Sequence, residues 1–187
     1  RTSADAARYF AAYENAIAAV AADKDAALAP ERANGVSVKL SALHPRYLAV
    51  KEARIMAEMY PRVLTLCQQA AKANINLTLD AEEADRLVLS LELLERLAGE
   101  KELANWTGLG LAVQAYQKRA ETVVGWLADM AKASKRRLMV RLVKGAYWDS
   151  EVKRAQVEGQ SDYPVYTTKQ ATDVSYLACA KALFGAG

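Results

Sequence analysis

Four short segments of this chain alternate apolar residues with small or polar ones: VSVKL (36–40), INLTLDA (75–81), LGLAVQA (109–115) and RLMVRLVKG (137–145). A period of two is the mark of a β-strand with one buried face. Val36, Val38 and Leu40 alternate with Ser37 and Lys39, and Ile75, Leu77 and Leu79 with Asn76, Thr78 and Asp80. Leu109, Leu111 and Val113 alternate with Gly110, Ala112 and Gln114, and Leu138, Val140 and Leu142 with Met139, Arg141 and Val143. Each strand therefore carries Lys39, Asp80, Gln114 or Arg141 near the C-terminal end of its non-apolar face. Parallel α/β proteins place ligand chemistry at that end.

Helical periodicity fills the gaps between the strands. Residues 3–22 put Phe10, Tyr13, Ile17 and Val20 on one stripe. Residues 50–73 do the same with Ile55, Met59, Val63, Leu66 and Ala70, and Pro61 predicts a kink or a break into two helices there. Residues 82–98 align Leu87, Leu91 and Leu94 ahead of Gly99, and 120–133 align Val123, Leu127 and Met130. Two further helices are expected near 147–158 and 169–184, with a loop at 159–168. Residues 23–35 read as a flexible loop by composition: Asp, Lys, Ala, Pro and Gly dominate it. Strand–helix units in this order suit crossover connections in a parallel sheet.

Two architectures accommodate four parallel strands. An open doubly wound sheet is covered on both faces, so its strands should be apolar on both. Here one face reads Ser37, Lys39, Asn76, Thr78, Asp80, Gly110, Ala112 and Gln114. A barrel interior tolerates such a face, so the fold class expected is α/β, a TIM-barrel-like (β/α) fold. A barrel of this kind has eight strands, and four are present, which reads as about the first half of one domain over 1–187. Arg1 falls inside a helical pattern and the chain ends at Phe184-Gly-Ala-Gly, so the expectation is that a second half, or another copy, completes the wall.

Composition narrows the function classes. The net charge of +3 is too small to argue for nucleic acid through this segment, and the KRR run at 135–137 reads as a solvated turn. Two distant cysteines, Cys67 and Cys179, without CxxC spacing, argue against a disulfide framework. Cys67 lies on the apolar side of a helix and reads as core. His44 is the lone histidine, so a His-based metal site is not expected. No run approaches the ~18 apolar residues of a transmembrane helix. GxGxxG, GxxxxGK[ST], HExxH and GxSxG are all absent.

If the strands lie in register, Lys39, Asp80, Gln114 and Arg141 converge on one mouth, with Lys144 beside Arg141. Three cations and one carboxylate favour an anionic ligand. One polar residue at a strand end is an ordinary solvated terminus; four on one face call for a reason, because burying charge is costly. Asp80 beside Lys39 or Arg141 would stay ionised and orient its partner. KGAYW (144–148) marks a strand-to-helix turn, where Gly145 permits close backbone approach and helix amides can hold phosphate. Tyr147 and Trp148 there either stack on a planar ring or plug the rim. Two other classes stay open at this point: a non-catalytic fragment that associates through an open barrel edge, and a barrel lyase using Lys39 as a Schiff base. A nearby Asp80 would hold that lysine charged, against the lyase.

KLSALHPRY (39–47), LDAEEADRL (79–87), VQAYQKR (113–119), RLVKGAYWDSEVKRAQ (141–156) and YPVYTTKQATDVSYLACAK (163–181) strongly resemble the proline dehydrogenase domain of bacterial bifunctional proline utilisation A proteins. The resemblance covers the chain from residue 4 to about 183 and implies a distorted TIM barrel that binds FAD. It implies oxidation of L-proline to Δ1-pyrroline-5-carboxylate, with electrons passed to a quinone. It implies that Lys39 contacts the proline carboxylate, that Asp80 holds that lysine and lines the site, and that Tyr147 walls the substrate pocket. Gln114 and Arg141 resemble flavin-ring contacts; Val143, Lys144, Gly145, Ala146 and Trp148 resemble further FAD contacts, with Tyr166 and Thr167 toward the adenosine. The parent protein would carry an aldehyde dehydrogenase domain and work in the cytoplasm, peripheral to the inner membrane face. The family's YxRRxxxE arginine pair, which clamps the proline carboxylate, is absent from these residues. The expectation is a site of which about half is present, so that this chain alone binds FAD poorly.

Overall fold

The computed structural model describes residues 2–25 and 27–186; Arg1, Ala26 and Gly187 lie outside the described residues. The elements run α1 (Ser3–Ala22), β1 (Gly35–Val38), α2 (Leu40–Leu43), α3 (Glu52–Lys72), β2 (Asn76–Leu79), α4 (Leu87–Ala98), β3 (Leu109–Gln114), α5 (Ala120–Ala133), β4 (Met139–Val143), α6 (Trp148–Val157) and α7 (Lys169–Gly185). The four strands form one sheet in the order β1-β2-β3-β4, every pair parallel. That order never reverses, so the sheet lacks the switch point of a doubly wound fold. It is the arc of a (β/α) barrel, as the one-sided alternation predicts.

Apolar residues drive one face of the arc inward against the helices. Val38, Leu77, Leu79, Leu109 and Leu111 are at most 1% exposed, and α1, α3, α5 and α7 pack against β1, β2, β3 and β4 in turn. Ile55, Met59, Val63, Leu66 and Ala70, the stripe expected of α3, are all fully buried. Cys67 lies among them, and burial pushes its thiol up to about 12. Removing a side chain from such a core costs roughly 2–5 kcal/mol for Leu to Ala. On the opposite, concave face Ser37, Lys39 and Arg141 are exposed, while Thr78, Gly110, Ala112 and Gln114 are buried.

Local chemistry sets the ends of the elements. Thr2 caps α1 through a reciprocal pair: its hydroxyl accepts the Asp5 N–H at 3.2 Å, and the Asp5 carboxylate accepts the Thr2 N–H at 2.9 Å. Thr168 caps α7 by accepting from the Ala171 N–H. The structure corrects four expectations. Helix α3 runs through Pro61 as one element, so it does not break into two helices there; Pro61 and Ala57, whose carbonyl loses its helical partner, are both exposed and can be served by water. Helix α4 begins at Leu87, after a single 3-10 turn over Ala84–Arg86, rather than at 82. The segment expected as a loop to residue 35 ends one residue earlier, with Gly35 in β1, and the Asn76 amide ties it down by donating to the Pro30 and Ala33 carbonyls, both at 2.9 Å. The KRR run is not merely a solvated turn. Arg136 is buried and donates to the carbonyls of Ala98 and Trp106, both at 3.1 Å, and of Leu103, clasping the connection between α4 and β3.

Candidate functional site

Strand register decides which of the predicted residues share a level. Val38 pairs with Leu79, Leu79 with Leu111, and Ala112 with Arg141. Lys39, Asp80, Ala112 and Arg141 therefore form one row across the concave face. Gln114 pairs with Val143, one pleat further toward the C-terminal rim. The expected foursome is thus a row of three with Ala112 in its midst. Side chains two residues apart on one strand share a face but differ in height.

Arg141 is the hub of that row. Its guanidinium donates to the Asp80 carboxylate and, at 3.1 Å, to the Ser37 hydroxyl, so it spans from β4 across to β2 and β1. The Asp80 side chain is 15% exposed and that of Arg141 48%, which leaves one side of the guanidinium free for a ligand. The resemblance implied that Asp80 holds Lys39; in the structure Asp80 is engaged by Arg141. The Lys39 ammonium has no hydrogen-bond or ion-pair partner among the described residues. The Lys39 backbone N–H donates to the Tyr13 hydroxyl at 3.0 Å, so α1 fixes its main chain while the side chain stays exposed.

Gln114 is 4% exposed, and both ends of its amide are committed. The amide nitrogen donates to the Glu82 carbonyl at 2.8 Å, and the amide oxygen accepts the Ala146 N–H at 3.2 Å. It bridges the loop after β2 to the loop after β4. Gly145 sits beside Ala146 with φ +139°, and a Cβ there would lie 2.4 Å from the Tyr116 ring. The close approach this glycine permits is thus to a protein ring. Lys144 does not add a free cation to the mouth: its ammonium meets Asp173 of α7 at 2.5 Å, and Lys169 meets the same carboxylate at 2.6 Å. That contact holds the Lys144 ammonium above, and Asp173 below, their ordinary ranges. The Val143 carbonyl accepts the Ala115 N–H, and the exposed Trp148 ring donates to the Tyr166 carbonyl at 3.0 Å. Tyr166 N–H in turn donates to the Tyr116 carbonyl, and Thr167 is exposed.

A cleft of about 480 Å³ opens beside Lys39. Tyr147, Glu82, Glu83, Arg86, Tyr47 and Arg46 line it. Tyr147, Lys39 and the row's neighbourhood were legible beforehand; the acidic pair, Arg86 and Tyr47 were not. Glu82 accepts the Ser41 N–H at 2.8 Å and meets Arg86 at 3.0 Å; Glu83 meets Arg86 at 3.1 Å. Arg86 lies over the Tyr47 ring, 5.7 Å from its centroid. Burial, and then the carboxylates of Glu82, Glu83 and Asp80, push the Tyr147 hydroxyl upward, so it stays protonated at neutral pH. The mouth is therefore mixed in charge rather than cationic throughout. A usable signal was the AEEADR stretch directly after a strand, which reads as the start of a helix and as part of a family motif but not as cleft lining. His44 accepts the Arg46 N–H on Nδ1, which leaves Nε2–H to meet Glu58 at 3.1 Å. It acts as a strut of the cleft's loop. No group of three or more His, Cys, Asp or Glu side chains that could hold a metal is found among the described residues.

A (β/α) arc with charged side chains on the concave face and a cleft at the C-terminal strand ends defines an enzyme-type barrel domain. The chain belongs to the proline dehydrogenase family, whose family model matches residues 1–187. It is 56% identical over 182 residues to the bifunctional protein PutA of Salmonella typhimurium and 51% identical over 181 residues to that of Rhizobium meliloti; each match covers 97% of this chain. A crystal structure of Bradyrhizobium japonicum proline utilisation A superposes with a TM-score of 0.97 at 50% identity, over 100% of this chain and 19% of that one. The Bdellovibrio bacteriovorus enzyme inactivated by N-propargylglycine superposes with a TM-score of 0.91 at 27% identity, over 99% of this chain and 20% of that one. The chain spans 14% of the length of the curated relatives it matches.

Proposed function

We propose that these residues form one wall of a site that oxidises L-proline to Δ1-pyrroline-5-carboxylate with the help of FAD, in a larger protein that passes the electrons to a quinone at the inner face of the cytoplasmic membrane and carries an aldehyde dehydrogenase domain. The observation that carries this reading is the row Lys39, Asp80 and Arg141 on the concave face of the arc beside an aromatic-walled cleft. No helix among the described residues is long and apolar enough to cross a membrane.

The donor set suits a flavin. The half-exposed guanidinium of Arg141 faces the concave side, and the exposed indole of Trp148 stands at the following turn. Arg141, Val143, Lys144, Gly145, Ala146, Trp148, Tyr166 and Thr167 would hold FAD, with Gln114 and Asp80 acting on that wall by position. Gln114 contributes by fixing the Ala146 amide, and Asp80 by aiming Arg141. When bound, FAD supplies the acceptor for the hydride removed from the proline ring. Lys39 offers its unpartnered ammonium to the proline carboxylate. Tyr147 bounds the ring side of the cleft and keeps water from it. Glu82 and Arg86 shape the opposite side while neutralising one another.

Full-length protein carrying this chain should reduce a dye acceptor when given L-proline. Lys39→Ala should raise KM for proline by about tenfold or more, the scale of a lost charge-assisted hydrogen bond of ~1.5–3 kcal/mol. Flavin-loaded protein whose visible spectrum does not change with proline under anaerobic conditions overturns the assignment.

A further inference from the structure

Glu151 is an anomaly in α6. It is 2% exposed, yet a carboxylate is costly to bury and an apolar side chain would pack there at less expense. Its Oε1 accepts the backbone N–H of Ala84 at 2.6 Å. Ala84 opens the single 3-10 turn after β2 that follows Glu82 and Glu83 and ends in Arg86. Those three line one side of the cleft. Tyr147, which lines it from the loop after β4, lies one helical turn before Glu151, and its carbonyl accepts the Glu151 N–H at 2.9 Å. Glu151 thus adds to the Gln114 bridge a second side-chain tie between the two loops that face each other across the cleft. The Ala84 carbonyl is gripped too, by Arg119, so both backbone polar groups of this residue are held by side chains from other elements. Arg154 and Asp85 add a more exposed tie at 2.8 Å.

We propose that Glu151 is a positioning residue: its bond to Ala84 sets the separation between the Glu82–Arg86 turn and Tyr147, and with it the width of the substrate cleft. The proposal rests on the proline-oxidising reading for its kinetic consequence but not for its structural one. The test uses full-length protein and compares Glu151→Met, which keeps the volume and loses the acceptor, with Glu151→Gln, which keeps an acceptor oxygen. Amide exchange over 82–86 should speed up at least about tenfold in the Met variant and stay within about threefold of the parent in the Gln variant. KM for proline should rise about tenfold in the Met variant with kcat within about threefold, and the Gln variant should restore KM. Arg154→Ala, which removes only the more exposed tie, should change neither reading. Unaltered exchange in the Met variant, or a Gln variant as impaired as Met, overturns the proposal. Should Glu151→Met not yield folded protein, Glu151→Asp, a methylene too short to reach Ala84, takes its place with the same expectations. A parent protein that does not oxidise proline defeats the functional reading, while the exchange data still decide the role of Glu151.

Discussion

A single carboxylate can be in the right place and cost stability there. Burial raises the Glu151 carboxyl above its ordinary value, with the Ala84 N–H and Arg154 opposing the rise. The folded protein then binds this proton more tightly than the unfolded chain does. The charged form is disfavoured by folding, so stability falls as pH climbs through the ordinary carboxylate range toward the raised value. Below that range both states are protonated and the cost disappears. Glu151→Gln retains an acceptor for Ala84 and carries no charge, so it should melt above the parent at neutral pH, and the gap should close below about pH 4. Thermal unfolding at the two pH values checks this; a Gln variant that melts lower at neutral pH would show that the charge itself is stabilising. Asp80 pairs with Arg141, whose guanidinium half faces solvent, where a ligand can reach it.

At the scale of elements, strand contacts are as close as glycine allows. A Cβ on Gly110 of β3 would stand 2.6 Å from the Met139 carbonyl oxygen of β4, a backbone atom that cannot turn aside. Gly110→Ala must push β4 away from β3, and with it Arg141, two residues beyond Met139. The expected cost is roughly 1–3 kcal/mol of stability, typical of overpacking, together with weaker flavin retention in the full-length protein. Denaturant titration and the flavin-to-protein absorbance ratio measure both; an unchanged midpoint would mean that the strands have room to spare. The element types were legible in the residues, because periods of 2 and 3.6 survive in any solvent-facing arc. The unbroken path of α3 through Pro61 was not, since it depends on which side of the helix the orphaned carbonyl faces.

Across the whole molecule, burial is uneven. Val140 and Leu142, on the helix-facing side of β4, remain only partly buried, unlike their counterparts on β1 to β3. They open onto a groove of about 850 Å³ that also involves Leu127, Leu138, Leu183 and Phe184, with Phe184 88% exposed. Exposed apolar surface of this kind favours association. The 187 residues expressed alone are expected to retain little flavin and to self-associate. Sedimentation and absorbance at visible wavelengths test this: a clean monomer holding stoichiometric FAD would contradict it.

The alternation of four segments was enough to place four parallel strands, their buried faces and the polar ends Lys39, Asp80, Gln114 and Arg141, because side-chain direction along a strand is a property of the local backbone. Motif resemblance added the family. Pairing lay beyond reach of either pattern. Which cation Asp80 meets, that Lys144 is taken by Asp173, that Gln114 spends both ends of its amide on two loops, and that Glu151 grips Ala84 all depend on register and on helices distant in the chain. Such contacts are set by where separate elements come to rest in three dimensions, and no spacing along one element encodes them.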